Sequence, residues 1–370
     1  GRRMGGGFGG KESQASLVAC IAALLARAAN RPVKLRLDRD DDMIMTGKRH
    51  DMHVKYKVGF DDDGCIGGIE MTHLVNCGFS PDLSNAICDR AMFHSDNVYF
   101  LGNATIHSYR CKTNKVSNTA FRGFGGPQGM LAIEHVVDRI ARHLGKDPLL
   151  VRRKNLYDAK GKLKDRCTTH YHMTVEDNVI ADIFTQLEKS GDYAARVSAV
   201  HDFNAKNEVL KKGIALTPVK FGISFTHTPL NQAGALVHVY KDGSVQLNHG
   251  GTEMGQGLHT KVAQIVADVF GLPLAAVRVT ATNTSKVPNT SATAASSGTD
   301  LNGKAAEEAA KTIRARLAEF GARHFNVDAS SIAFCGGEVQ LGRETMSFKD
   351  FVMLAYTHRV SLSSTGFYAT

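Results

Sequence analysis

The chain has 370 residues, 43% apolar and 22% charged, with a formal net charge of +9, so it can bury one large core or two of ordinary size. No run approaches the roughly 18 consecutive apolar residues of a membrane span, and Gly1-Arg2-Arg3-Met4 lacks the charged-then-apolar layout of an export signal. The seven cysteines are scattered without a C-x-x-C pair, and the basic residues alternate with acids, as in Arg36-Leu37-Asp38-Arg39-Asp40, with no basic stripe interleaved with aromatics. These features predict reduced thiols in a cytoplasmic protein whose partner is neither nucleic acid nor a membrane.

In chain order, Ser13–Ala29 carries Leu17, Val18, Ile21, Leu24 and Leu25 at helical spacing and stops at Asn30-Arg31-Pro32. Val33–Leu37 and His53–Phe60 alternate like strands, and Asp61-Asp62-Asp63-Gly64 turns the chain into Cys65–Leu74, a predicted hairpin. Leu83–Phe93 reads as a helix and Ala104–Cys111 as extended. Pro127 stands where a first helical residue should be, ahead of Met130, Leu131, Ile133, Val136, Val137, Ile140 and Leu144, with Gly145 as the stop. Helices follow near Pro148–Tyr157 and Val175–Leu187. Tyr157–His172 and Asp202–Lys212 are polar or charged linker candidates, and the second predicts a division into domains 1–205 and 206–370.

Beyond that division, Ala235–Tyr240 and Ser244–Asn248 flank Lys241-Asp242-Gly243 as a hairpin, and Leu258–Phe270 is amphipathic. Val277–Ala281 reads as a strand, Gly303–Phe320 as an alanine-rich helix, Ile332–Leu341 as a hairpin and Phe348–Tyr356 as a short helix. The order resembles that of the first half. Strand pairs alternating with helices predict an α+β fold of two similar mixed sheet-and-helix subdomains.

Many of the 36 glycines fall in four short loops that each lead toward a helix. They are Gly5–Gly10, Phe121–Gln128, Gly250–Gly257 and, richer in alanine and serine, Ser291–Gly298. Backbone N–H groups and the positive helix end converge in such loops and attract anionic groups. Any one of them is equally a tight strand-to-helix turn, and Gly5, Gly7 and Gly10 satisfy G-x-G-x-x-G without a strand before them. Four together predict a large anionic cofactor. His170-Tyr171-His172 is the only His-x-His and reads as a surface loop rather than a metal site.

Gly5–Glu12, Thr119–Gln128, Phe221–Thr226, Asn231–Val239, Gly250–Lys261 and Pro288–Ser296 resemble, in order, the signatures of the xanthine dehydrogenase family. The resemblance covers essentially the whole chain and is to a central piece of the large, molybdenum-cofactor-binding subunit, of the bacterial type. It implies a molybdenum–molybdopterin cofactor whose metal takes no side-chain ligand from the protein. It implies oxidative hydroxylation of hypoxanthine and xanthine to urate, with water as the oxygen source. Electrons would pass to iron–sulfur clusters, FAD and NAD on partner modules of a hetero-oligomer.

By the same resemblance, cofactor contacts fall on Phe8, Gly9, Arg122, Gln256, Ala294 and Ala295, and substrate contacts on Glu12, Arg90, Phe124, Phe225 and Thr226. A carboxylate can accept from ring N–H groups, and a guanidinium can neutralise charge that develops on a purine. Two rings can clamp a planar substrate, one edge-on and one stacked. The catalytic base is expected on a glutamate beyond Thr370, so the chain alone is expected to be catalytically silent. Glu253 is a candidate base by loop position only. The competing readings are an aldehyde or N-heterocycle hydroxylase of the same superfamily, and a non-catalytic cofactor-binding domain.

Overall fold

The computed structural model describes residues 4–158, 166–283, 285 and 290–370. Gly1–Arg3, the middle of the polar stretch Tyr157–His172, and Pro288 and Asn289 of the last signature lie outside the described residues. The chain divides into two compact units, a first of Gly9–Gly222 and a second of Ile223–Thr370 with Gly1–Phe8.

The first unit opens with α1 (Ala15–Ala29), ended by Asn30 in the left-handed region. None of its residues is buried, and Leu17, Leu24 and Leu25 stand exposed. Val33–Leu37, expected as a strand, is not one. It has the alternation of a strand, but no described strand lies beside it to complete a ladder, and Asp38 then caps α2 (Arg39–Met45) by accepting from the Asp41 N–H at 2.8 Å. The hairpin forms as expected from β1 (Met52–Phe60) and β2 (Ile66–Gly78), antiparallel from Met52↔Val75 to Phe60↔Ile66. The Asp61 carboxylate closes its turn by accepting from the Asp63 and Cys65 N–H groups at 3.0 and 2.8 Å.

After α3 (Ser84–Phe93), β3 (Ala104–Lys112) returns parallel to β2, giving the order β1-β2-β3. Next, α4 (Gly126–Leu144) carries its proline in the first turn and ends at left-handed Gly145. Its stripe of Ile133, Val136, Val137 and Ile140 packs with Ile66, Ile69 and Met71 of β2 in one core. At about 1.5–3 kcal/mol for each fully buried aliphatic, this stripe fixes the helix on the sheet. Helices α5 (Pro148–Asn155), α6 (Ile180–Ser190) and α7 (Tyr193–Lys206) follow. The last runs into the expected linker Asp202–Lys212, so helical structure persists to Lys206 there.

The second unit repeats the plan. A hairpin of β4 (Gln232–Val239) and β5 (Val245–His249) leads through α8 (Leu258–Phe270) to β6 (Val277–Val279), parallel to β5. A long α9 (Gly298–Phe325) then crosses the core. Short strands β7 (Ala333–Cys335), β8 (Glu338–Leu341) and β9 (Glu344–Ser347) form a separate sheet before α10 (Phe348–Thr357). Finally β10 (Ser363–Ala369) pairs antiparallel with β4, completing the order β10-β4-β5-β6.

Ala305, Ala306, Ala309 and Ala310 on α9 are fully buried. Small side chains there let backbones approach, and Gly366 of β10 sits so close that an added Cβ would lie 2.0 Å from the Ala305 carbonyl oxygen. Both units are thus α+β folds sharing a strand–strand–helix–strand–helix order. Among the described residues no helix is long and apolar enough to cross a membrane.

Candidate functional site

The site residues expected in the first unit ride on three packed segments. Gly9 and Gly10 have φ of 107° and 75°, and Gly123, Phe124 and Gly125 have 94°, 51° and 95°, a run of left-handed backbone that is costly at phenylalanine. A Cβ on Gly9 would lie 2.3 Å from the Ala120 carbonyl oxygen, and one on Gly125 would lie 2.1 Å from that of Ile87. Only glycine permits these approaches. They bind the stretch after Gly9 to the 119–126 loop, and that loop to α3. Ser13 Oγ and Gln14 Nε2 both donate to Asp82 Oδ2 at 3.1 and 3.3 Å, just ahead of α3. Arg49 stacks 4.4 Å from the Phe121 ring centroid and donates to the Arg122 carbonyl at 2.6 Å, which fixes the backbone beside the exposed Arg122 side chain.

Glu12 and Arg90 belong to this framework. Glu12 Oε1 accepts from Lys11 Nζ at 3.1 Å, while Oε2 is buried and has no hydrogen-bond partner among the described residues. A buried carboxylate oxygen left unpaired is costly unless a ligand N–H reaches it. Arg90 lies in the last turn of α3, 5% exposed, and donates to the Gly222 carbonyl beneath its guanidinium's packing on Phe221, 5.6 Å from the ring centroid. Burial pulls its pKa below the ordinary arginine value.

The second unit holds Phe8, Phe225, Thr226, Gln256, Ala294 and Ala295. Phe8 has φ 47° and is 61% exposed, a combination that packing does not explain. Ala295 and Ser296 follow one another in the left-handed region at 59° and 57°, and Ser224 joins them at 71°. The Ser224 N–H donates to the Ala295 carbonyl at 2.8 Å, and the Thr252 N–H to Thr293 Oγ1 at 2.8 Å, so the three segments carrying Phe225, Gln256 and Ala294 are bonded together. Buried Asn231 brackets Phe225 on both sides, accepting its N–H at 2.8 Å and donating to its carbonyl at 2.9 Å.

The 250–257 loop, expected to offer its amides to an anion, spends three of them, those of Met254, Gly255 and Gly257, on its own side chains. Glu253 accepts from the Gly255, Gly257 and His259 N–H groups at 2.9, 3.0 and 3.1 Å. Burial pushes this carboxyl up, but the three donors outweigh it and hold it below the ordinary glutamate range. Through Gly257 and His259 it secures the start of α8. Exposed Gln256 folds back, accepting from the Met254 N–H at 2.6 Å and donating to the Thr252 carbonyl at 3.0 Å.

Sequence reasoning did not single out His94, Asp96, Asn97 or Asn231, all buried. For the first three the signal was a polar run, His94-Ser95-Asp96-Asn97, within an apolar neighbourhood. His170, expected at the surface, is instead turned inward, its Nε2 at 3.0 Å from the Met92 carbonyl oxygen, whereas His172 is exposed.

Runs of left-handed backbone that lead into helix N-termini occur in each unit, and such runs are features of a protein that holds an anionic group. Residues 1–156 match the molybdopterin cofactor-binding domain, and residues 186–370 match a second molybdopterin cofactor-binding domain. The chain belongs to the molybdopterin cofactor-binding domain family. It is 46% identical over 369 residues to the xanthine dehydrogenase/oxidase of Mus musculus, covering 100% of this chain and 26% of that one. It is 42% identical over 369 residues to the xanthine dehydrogenase of Dictyostelium discoideum, covering 100% and 25%. The chain therefore spans about a quarter of the length of the curated relatives it matches.

Among solved structures, quinoline 2-oxidoreductase from Pseudomonas putida 86 is similar at a TM-score of 0.86 with 24% identity, over 99% of this chain and 49% of that chain. A Cu,Mo-CO dehydrogenase is similar at 0.80 with 19% identity, over 99% and 49%. At these identities the likeness is one of fold.

Proposed function

We propose that this chain is the cofactor- and substrate-facing part of a molybdenum hydroxylase that converts hypoxanthine and xanthine to urate. The observation that carries this reading is the buried, unpaired Oε2 of Glu12, an acceptor suited to a purine ring N–H. Molybdenum held by its pterin supplies, when bound, the two-electron chemistry that places oxygen from water on an electron-poor ring carbon. The left-handed runs at Phe8–Gly10 and Ala295–Ser296 fit a group that approaches backbone closely. Contacts to it are assigned to Phe8, Gly9, Arg122, Ala294 and Ala295, and to Gln256 once its amide turns away from its own loop.

Glu12 accepts from the purine. The buried guanidinium of Arg90 offsets negative charge that develops on the ring during attack. Phe124 and Phe225 hold the ring plane, one edge-on and one stacked, and Thr226 adds a polar contact. Backbone strain at Phe124 and the Asn231 bracket around Phe225 fit rings held in fixed directions.

Electrons leave through iron–sulfur clusters and FAD to NAD on other modules of a hetero-oligomer, and the chain alone is expected to bind purine without turnover. The seven cysteines are free, which suits a cytoplasmic setting. The test is urate formation from xanthine by the assembled enzyme and its Glu12→Ala and Arg90→Met variants. Each substitution is expected to lower kcat/KM by about 10²-fold or more, as for loss of one charge-stabilising contact. Xanthine turnover that is indifferent to both, or turnover confined to aldehydes or quinolines, would contradict the purine reading.

A further inference from the structure

Arg90, His94 and Gly222 close a ring of hydrogen bonds inside the first unit. His94 Nδ1 lies 2.9 Å from the Arg90 carbonyl oxygen, one helical turn back. His94 Nε2 lies 2.9 Å from the Gly222 nitrogen, and the Gly222 carbonyl accepts from Arg90 Nη1. A peptide N–H can only donate and a carbonyl only accept. The imidazole must therefore carry its single proton on Nδ1 and present Nε2 as an acceptor. Any other protonation state breaks one side of the ring.

Neighbouring contacts fix the same segment. Asn97 donates to the Pro218 carbonyl and accepts from the Lys220 N–H, both at 2.9 Å, and Lys220 Nζ pairs with buried Asp96. Side chains at positions 90, 94, 96 and 97 thus stand in for a neighbouring strand along Pro218–Gly222. His94 is 4% exposed and packs on Phe221 at 5.2 Å between centroids, and Phe221 in turn lies under the Arg90 guanidinium.

We propose that His94 is a positioning residue for Arg90, holding the guanidinium through the Gly222 peptide only as the neutral Nδ1–H tautomer, so that acidification loosens this hold. What Arg90 binds rests on the purine reading above; the hydrogen-bonded ring does not. On protonation, Nε2 gains a hydrogen and faces the Gly222 N–H donor to donor. Burial is the main force keeping His94 neutral; the Arg90 and Lys220 charges act with it, and the Arg90 carbonyl and Asp96 act against it. The switch therefore lies below the ordinary imidazole range.

The experiment combines two readouts on the assembled enzyme. The first is nitrogen NMR of labelled histidine and arginine side chains as pH falls, reading the His94 tautomer and the solvent exchange of the Arg90 guanidinium protons. The second is KM for xanthine against pH in wild type, His94→Gln and His94→Phe. Gln can still accept from Gly222 but does not take up a proton.

Expected are a pyridine-type Nε2, slow Arg90 exchange that quickens as His94 protonates, and an Arg90 exchange in His94→Gln that stays slow in acid. In His94→Phe, KM should rise about 10-fold, equivalent to one lost hydrogen bond of ordinary strength. An Nε2–H tautomer would overturn the proposal, as would a folded His94→Phe whose Arg90 exchange matches wild type. If wild type does not turn over xanthine while Arg90 exchange tracks His94, the purine reading fails and the positioning role stands.

Discussion

Glu253 illustrates what a single residue's partners decide. As a carboxylate in a glycine loop it was a candidate base, yet three backbone donors claim both of its oxygens. Sequence position could not separate a base from a cap, because both call for an acid ahead of a helix. Glu253→Ala should loosen the start of α8 and cost about 1–2 kcal/mol, typical of a lost cap. The pH dependence of turnover should stay that of wild type. Denaturant unfolding together with a pH–rate profile measures both, and a lost acid limb in the variant would restore Glu253 as a titrating group of the reaction. Glu12 and Arg90 were legible only through the family signatures. By type alone they fit an acid ahead of a helix and a cation on a helix surface; the buried Oε2 of Glu12 and the buried Arg90 separate them from those roles.

At the scale of elements, local pattern was sufficient where an element's partner is local. The hairpins β1–β2 and β4–β5 and the helices α4 and α8 follow from alternation, turn residues and periodicity. Val33–Leu37 failed for the opposite reason, since alternation specifies a face to bury but not a neighbour to bond. Strand β10 went unread because Ser363–Ala369 mixes small and aromatic residues, and its pairing partner β4 lies more than a hundred residues earlier. Its Gly366 serves close packing on α9. Gly366→Ala should therefore destabilise the second unit by about 1–3 kcal/mol through overpacking. The check is a urea unfolding curve, and an unchanged midpoint would mean that α9 and β10 can move apart freely.

Across the whole molecule, histidines are buried in both units. Burial lowers the pKa of His50, His73, His94 and His170 in the first unit, and takes that of His249 in the second down to about 4. Below pH of about 6.5 the unfolded imidazoles take up protons that the folded ones refuse, so the unfolded state gains and stability falls. The loss through His249 alone is about 3 kcal/mol and is complete near its folded value of about 4. Urea midpoints should hold steady from pH 8 to 7 and fall from about 6.5 downward, less steeply in His249→Leu. A flat profile across that range would contradict neutral burial.

The repeat of one strand–helix plan in two units was legible as a resemblance between the two halves of the sequence, and so was the prospect of a large anionic cofactor at the glycine loops. The three amides that the 250–257 loop spends on its own side chains were not, because hydrogen-bond partners are set by geometry that spacing alone does not give. The proposed function requires that this protein hold the pterin. The direct measurement is molybdenum by elemental analysis, with released pterin quantified by fluorescence, on protein purified from a host that makes the cofactor. Equimolar molybdenum and pterin per chain are expected. Folded protein free of both, purified beside a loaded relative from the same host, would contradict that function.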